Sequence, residues 1–219
     1  MWRGFPARKY IPMAVIVVGG HSRNVGKTSV VAGLIAAIPE YHWTALKITQ
    51  YGHGVCSLNG ESCHCATDDH SWAISEEKDR SGDSDTSRFL VAGAARAWWV
   101  RTEQGRLAEA IPTIRRRLTE SENVIVESNS ILKFVRPDLY LTVLDPATAD
   151  FKRSAQEFLD QADAVILHAP KESNGKKAAW TGVSLKPVAG RPMFEIHPPG
   201  YVTPEIAEFV KDKLRGPKA

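Results

Sequence analysis

Short continuous apolar runs alternate along this chain with segments whose apolar residues recur at helical spacing. The runs predict strands at 14–18, 44–48, 97–100, 123–126, 139–143, 164–167 and 193–196. Such runs lack polar alternation because a parallel strand covered by helices is buried on both faces. The helical spacing predicts helices at 27–38, 86–94, 103–118, 151–161 and 204–213, the last with Thr203 as N-cap and Pro204 at its first position. Strands alternating with helices imply an α/β fold, a mostly parallel sheet flanked by helices in three layers. One stretch fits neither period. Residues 51–83 are polar, rich in Gly, Ser and Asp, and hold all three cysteines, and a loop that long inside a compact domain is usually functional or disordered.

The first apolar run feeds Gly20-His21-Ser22-Arg23-Asn24-Val25-Gly26-Lys27-Thr28-Ser29, after which the chain is apolar again over 30–38. A buried strand, a tight loop and a helix in that order aim successive backbone N–H groups and the positive helix end at one point, where polyphosphate oxygens can sit. In such a phosphate loop Lys27 bridges the β- and γ-phosphates and the Thr28 hydroxyl ligates Mg²⁺. The pattern Gly-x4-Gly-Lys-Ser/Thr is broken at one point: His21 holds the first Gly position and Gly20 precedes it, so the loop is one residue longer. The competing explanation is a Gly-rich strand-to-helix turn with an exposed lysine. With the strand before the loop and the helix after it, the expected fold is a three-layer P-loop NTPase that binds GTP or ATP with Mg²⁺.

Length and charge narrow the classes. The 219 residues suit one α/β domain carrying the polar insert. A net charge of +3 is only mildly basic, and no Lys/Arg stripe interleaves with aromatics, so nucleic acid is not an expected partner. Arg115-Arg116-Arg117 closes a predicted helix and reads as a complement to its dipole. No apolar run reaches the ~20 residues that span a bilayer, and the basic residues 1–10 lack the apolar segment of a signal peptide. A cytoplasmic protein without a membrane partner is expected.

A second acidic element completes a metal–phosphate site. In P-loop proteins the strand beside the loop ends in a carboxylate that holds Mg²⁺ or its water, and Asn123-Val124-Ile125-Val126-Glu127 has that shape. Asp83 and Asp85 are further candidates for the metal or the attacking water, although Ser84 or Asp85 could equally be the N-cap of the helix that follows. Lys27, Glu127 and Asp85 are the expected catalytic residues, and Thr28, Glu127 and Asp85 the expected Mg²⁺ ligands. The base is poorly marked. The strand 164–167 runs into His168-Ala169-Pro170-Lys171-Glu172-Ser173-Asn174, where such folds hold the purine, without the Asn-Lys-x-Asp that reads guanine.

Cys56, Cys63 and Cys65, with His53, His64 and His70 nearby, crowd the polar stretch. In a reducing cytosol such clusters point to zinc or an iron–sulfur centre more than to disulfides. Cys-x6-Cys-x-Cys supplies only three thiols, so a site needs His53 or His70 as fourth ligand, or a second subunit. Free or redox-active thiols are the alternative, and a disulfide the third. His64, trapped between two cysteines, is expected to point away from a site they share.

Three stretches together resemble the MobB-type accessory proteins of molybdopterin guanine dinucleotide biosynthesis. Besides the phosphate loop, Leu46-Lys47 followed by His53 is similar to that family's Lys- and His-rich end of the second strand, and Val126-Glu127 to its Val-Glu-Gly, with Ser128 in place of the Gly. More specific is Asp85-Thr86-Ser87-Arg88-Phe89-Leu90-Val91-Ala92-Gly93-Ala94, which resembles its Asp-Ser-x-Arg-x-x-x-Ala-Gly-Ala segment. The resemblance spans 15–143 and implies GTP, Mg²⁺ and a homodimer that assists a guanylyltransferase, a cofactor-synthesis partner. The loop length, Gly-x5-Gly-Lys-Thr, instead resembles dethiobiotin synthetase, an ATP-dependent ligase whose strand Glu also matches Glu127. The cysteine insert matches neither. The signature lysine of the ParA/MinD ATPases would fall at Ser22, although Arg23 can reach a phosphate. Three functions follow as expectations: a slowly hydrolysing accessory protein with a partner surface near Trp72, a small-molecule ligase or kinase using Lys47, and a metal or redox sensor gated by the insert.

Overall fold

The computed structural model describes residues 14–51, 71–169 and 184–216. One eight-stranded sheet runs in the order β3-β4-β2-β5-β1-β6-β7-β8. Its strands are β1 (Ala14–Gly20), β2 (Trp43–Tyr51), β3 (Trp72–Glu76), β4 (Arg96–Glu103), β5 (Asn123–Glu127), β6 (Leu139–Leu144), β7 (Ala164–His168) and β8 (Met193–Ile196). Every neighbouring pair is parallel except β3 with β4. The helices are α1 (Lys27–Ala37), α2 (Asp85–Val91), α3 (Leu107–Thr119), α4 (Arg153–Glu157) and α5 (Pro204–Arg215).

Two apolar layers cover the sheet. On one face Val30, Leu34, Phe89, Ile206 and Val210 from α1, α2 and α5 pack on Ile16, Val18, Ile125 and Leu141. On the other, Leu107, Ile111, Ile114 and Leu118 of α3, with Phe158 and Leu159, pack on Val17, Leu46, Val124 and Val126. Strands β1, β5 and β6 are buried along their whole length, which is why they read as unbroken apolar runs. The result is a three-layer α/β fold, with a loop between the central strand β1 and α1. Among the described residues no helix is long and apolar enough to cross a membrane.

Three expectations need correction. The stretch 51–83 is not uniformly irregular, since Tyr51 ends β2 and Trp72–Glu76 form the antiparallel edge strand β3. All five β3 residues are half-buried, so no apolar run announces the strand. Cys56, Cys63, Cys65, His53, His64 and His70 lie outside the described residues. The helix expected at 103–118 starts only at Leu107, because β4 continues through Glu103, whose N–H bonds Ser71 O at 2.8 Å, and Gly105 turns the chain at φ 87°. The helix expected at 151–161 is α4 followed by a 3₁₀ turn at Leu159–Gln161, with Phe158 breaking the α geometry to reach the core.

Elsewhere the local chemistry is as expected. Ser84 caps α2, accepting from Ser87 N at 3.0 Å. The same helix ends in a Schellman arrangement at Gly93, φ 107°, with Ala94 N to Phe89 O at 3.0 Å and Gly93 N to Leu90 O at 3.2 Å. Thr203 caps α5, and Arg116 and Arg117 close α3, Arg117 also lying over the Trp98 ring at 4.4 Å.

Candidate functional site

Parallel register builds the acidic half of the site. Val18 of β1 and Lys47 of β2 both pair with Glu127 of β5, so the last residue of β5 and Lys47, in the middle of β2, share one face of adjacent strands. Helix α1 starts over that face. The Thr28 hydroxyl donates to Glu127 Oε2 at 2.8 Å, and the Lys47 ammonium donates to Glu127 Oε1 at 2.9 Å. Asp85, at the first position of α2, meets the same ammonium through Oδ2 at 2.5 Å. Arg88, one turn on, donates to Ser29 Oγ at 3.0 Å. Burial works to lower the Lys47 pKa, but Glu127 and Asp85 outweigh it, and the ammonium is held above its ordinary value. Asp83 stays exposed, its backbone N–H bonded to Ser81 Oγ at 3.1 Å.

The loop itself is shaped by backbone conformation. Gly26 takes φ 87°, ψ 13° at the start of α1 and accepts from Val30 N at 2.9 Å. A Cβ there would be strained and would also collide with the Tyr201 ring. Asn24 is also left-handed, at φ 56°, a conformation asparagine tolerates. Lys27 folds back to donate to Ser22 O at 2.5 Å, and burial holds its pKa below the ordinary lysine value. His168 Nε2 lies 3.0 Å from Val25 O, which ties the end of β7 to the loop.

Two latches fix where the loop begins. The Asn129 amide accepts from Gly20 N at 2.9 Å and donates to Gly20 O at 2.8 Å, so one side chain satisfies both backbone polar groups of that residue as a neighbouring strand would. His21 is fully buried. Its Nε2 accepts from Asp145 N at 3.0 Å, which puts the proton on Nδ1, and Nδ1 donates to Asp150 O at 2.7 Å. Burial, the largest influence, holds its pKa below the ordinary histidine value. Ser22 Oγ donates to Asp150 Oδ2 at 2.6 Å, and Lys152 N donates to His21 O at 2.8 Å. The residue that departs from the glycine pattern is therefore a buried connector between the loop and the segment after β6.

Thr28, Glu127 and Asp85, singled out from sequence, converge within one bonded cluster around Lys47, whereas Lys27 is bonded to Ser22 O instead. Asn129 and Lys152 were not anticipated. Asn129 follows Glu127 by two residues and could have been suspected as an extension of that strand end. Lys152 carries no motif, because its relation to the loop arises only through His21. The donor set suits a hard cation: a hydroxyl and one or two carboxylates, completed by phosphate oxygens, is the usual protein share of a Mg²⁺ site. Among the described residues no group of three or more His, Cys, Asp or Glu side chains is arranged to hold a metal without further ligands.

No protein-family model matches the chain, and no curated protein matches its sequence. Among solved structures it is similar to HypB from Helicobacter pylori in complex with nickel, with 14% identity and a TM-score of 0.49 over 94% of this chain and 90% of HypB. LpxK from Aquifex aeolicus in complex with ATP is similar at 16% identity and a TM-score of 0.45, over 84% of this chain and 54% of LpxK. The signal recognition particle 54 kDa protein from Aeropyrum pernix in complex with GDP is similar at 15% identity and a TM-score of 0.45, over 96% of this chain and 49% of its own. The chain thus spans about half the length of the last two.

Proposed function

We propose that the chain binds a nucleoside triphosphate with Mg²⁺ at residues 20–29 and hydrolyses it slowly, as an accessory protein of molybdenum cofactor biosynthesis. The observation that carries this reading is the convergence of Thr28, Glu127 and Asp85 on Lys47 beside the loop that carries Lys27. Thr28 and Glu127 would hold the cation, which would supply charge neutralisation between β- and γ-phosphate oxygens. Lys27 would leave Ser22 O for those same oxygens, and Asp85 would orient the attacking water. The base, GTP or ATP, is left to experiment.

The accessory role rests on residues 85–94, the most specific part of the MobB resemblance. That segment is α2 and its C-terminal turn, which carries Asp85 to Lys47 and Arg88 to Ser29. A ligase of the dethiobiotin synthetase kind asks for Lys47 as a substrate-facing cation, whereas its ammonium is already engaged by two carboxylates. Purified protein should release phosphate slowly from GTP or ATP with Mg²⁺ and no acceptor, and diaminononanoate plus bicarbonate should leave the rate unchanged. Turnover that depends on an added acid or amine would replace this function with the ligase.

A further inference from the structure

Lys152 is a cation without a partner. Among the described residues its ammonium makes no ion pair or hydrogen bond, although its side chain is more than half-buried. The leading charges acting on it are Lys27 and Arg23 of the phosphate loop, then Asp150, then Lys47. Asp150 offers little relief, since it is exposed and one carboxylate oxygen already accepts from Ser22 Oγ at 2.6 Å. Burial first, and the Lys27 and Arg23 charges next, push the Lys152 pKa down to about 8. Folding does not place a lysine beside two other cations for its own sake, because like charges brought together in a partly desolvated site cost free energy. The main chain nevertheless holds it there, through the 2.8 Å bond from Lys152 N to His21 O and the two side-chain bonds of His21.

We infer that Lys152 is a phosphate-contacting residue reserved for the terminal phosphate of a bound nucleoside triphosphate. The inference rests on the phosphate-loop reading above. The loop amides serve the inner phosphates and Lys27 bridges the β- and γ-phosphates, as in any phosphate loop, which leaves the outer oxygens of the terminal phosphate for a further cation. Lys152 stands on the segment after β6, tied by its backbone N–H to His21 O at 2.8 Å, and the anion we assign to it is the terminal phosphate. The excess of positive charge around Lys27, Arg23 and Lys152 matches an added phosphate. A diphosphate leaves Lys152 as unpaired as it is in the empty protein.

The test is a comparison of affinities, by calorimetry on the full chain, for ATP, ADP, GTP and GDP with Mg²⁺. Lys152→Ala should lose about tenfold or more in triphosphate affinity, the usual worth of a charge-assisted bond, while diphosphate affinity changes less than about twofold. Lys152→Arg should restore most of the triphosphate affinity. The thermal midpoint of the empty Lys152→Ala protein should be no lower than that of the parent, which separates contact from folding. Equal losses for di- and triphosphate, or no loss for either, would overturn the inference while leaving the phosphate loop intact. A parent protein that binds none of the four nucleotides would remove the phosphate-loop reading, and this inference with it.

Discussion

Replacing Lys47 by Met keeps the aliphatic stem and removes the cation that Glu127 and Asp85 share. The Glu127 side chain is 6% exposed and would retain only the Thr28 hydroxyl, at 2.8 Å, as a described partner. Removing one member of a buried pair costs about 3–5 kcal/mol, because the other charge stays desolvated. The Asp85 side is 36% exposed, so solvent screens it and it adds about 1 kcal/mol at most. Partial exposure of Lys47 itself, 19%, pulls the first figure to its lower end. A net loss of about 3 kcal/mol corresponds to a drop of roughly 6–12 °C in midpoint for a chain of this size.

The pH sign is set by Lys47. Its pKa is raised on folding against the opposing effect of burial, so its contribution is fully present below the unfolded value and is lost only as pH climbs through the folded one. The gap between parent and variant should therefore stay level from pH 6 to 9 and narrow only in strong alkali. Added Mg²⁺ should close the gap from the other end, since a cation bound to the folded state alone stabilises it by ~2.7 kcal/mol at one hundred times its dissociation constant. In the parent that cation competes with an ammonium, so Mg²⁺ should raise the variant's midpoint more than the parent's. Thermal melts of both proteins, in chelator and in Mg²⁺, read all three effects. A loss under about 1 kcal/mol, or an equal response to Mg²⁺, would show that Lys47 is not the countercharge of Glu127.

Lys27→Ala should abolish measurable triphosphate binding in calorimetry while the folded spectrum is kept, because charge-assisted bonds worth about 1.5–3 kcal/mol each are removed. Glu127→Gln and Thr28→Ala should lose Mg²⁺-dependent phosphate release more than nucleotide affinity, and parental rates in Glu127→Gln would shift the acidic role to Asp85. Lys152→Met should stabilise the empty protein by about 1 kcal/mol at pH 7 after discounting for exposure. That advantage should fade between pH 8 and 10.5, because a lysine whose pKa falls from 10.5 to about 8 on folding costs stability only while it must stay charged. Metal analysis of reduced protein should find about one zinc or one iron–sulfur cluster per one or two chains, released in Cys63→Ser/Cys65→Ser, whereas three freely titrating thiols with no metal would defeat that site.

Most of the sheet was legible because seven of its strands carry an apolar run, and in β1, β5 and β6 burial on both faces removes the alternation that would confuse strand with loop. The eighth, β3, was not. It pairs on one side only, through β4, and Trp-Ala-Ile-Ser-Glu satisfies a half-buried edge with no run of its own. Lys27, Thr28 and Glu127 were legible because a strand–loop–helix sequence and a strand-terminal acid each constrain where a side chain lies. Asp85 was ambiguous between cap and site. Ser84 takes the cap, and the first turn of α2 leaves Asp85 aimed at Lys47. Lys152 was illegible for a different reason: its position depends on His21 bonding a chain segment more than a hundred residues away, which no local pattern encodes.

The two halves of the site differ in charge, and that difference bears on how ligands would enter. The carboxylates Glu127 and Asp85 already have Lys47 between them, whereas Lys27 rests on a loop carbonyl and Lys152 has no ion pair among the described residues. A free divalent cation must therefore displace an ammonium to reach Glu127. A metal-free polyphosphate meets no such competitor, because its target cations are held by weaker, neutral acceptors or by none. A triphosphate carrying Mg²⁺ brings its anions to one half and its cation to the other in a single event. Once Glu127 turns to the metal, Lys47 keeps Asp85, the partner that belongs to α2. On the proposed reading, occupancy of the phosphate loop thus passes to α2 through a change in which carboxylate Lys47 holds, and the unequal Mg²⁺ response of Lys47→Met is the measurement that reads that exchange.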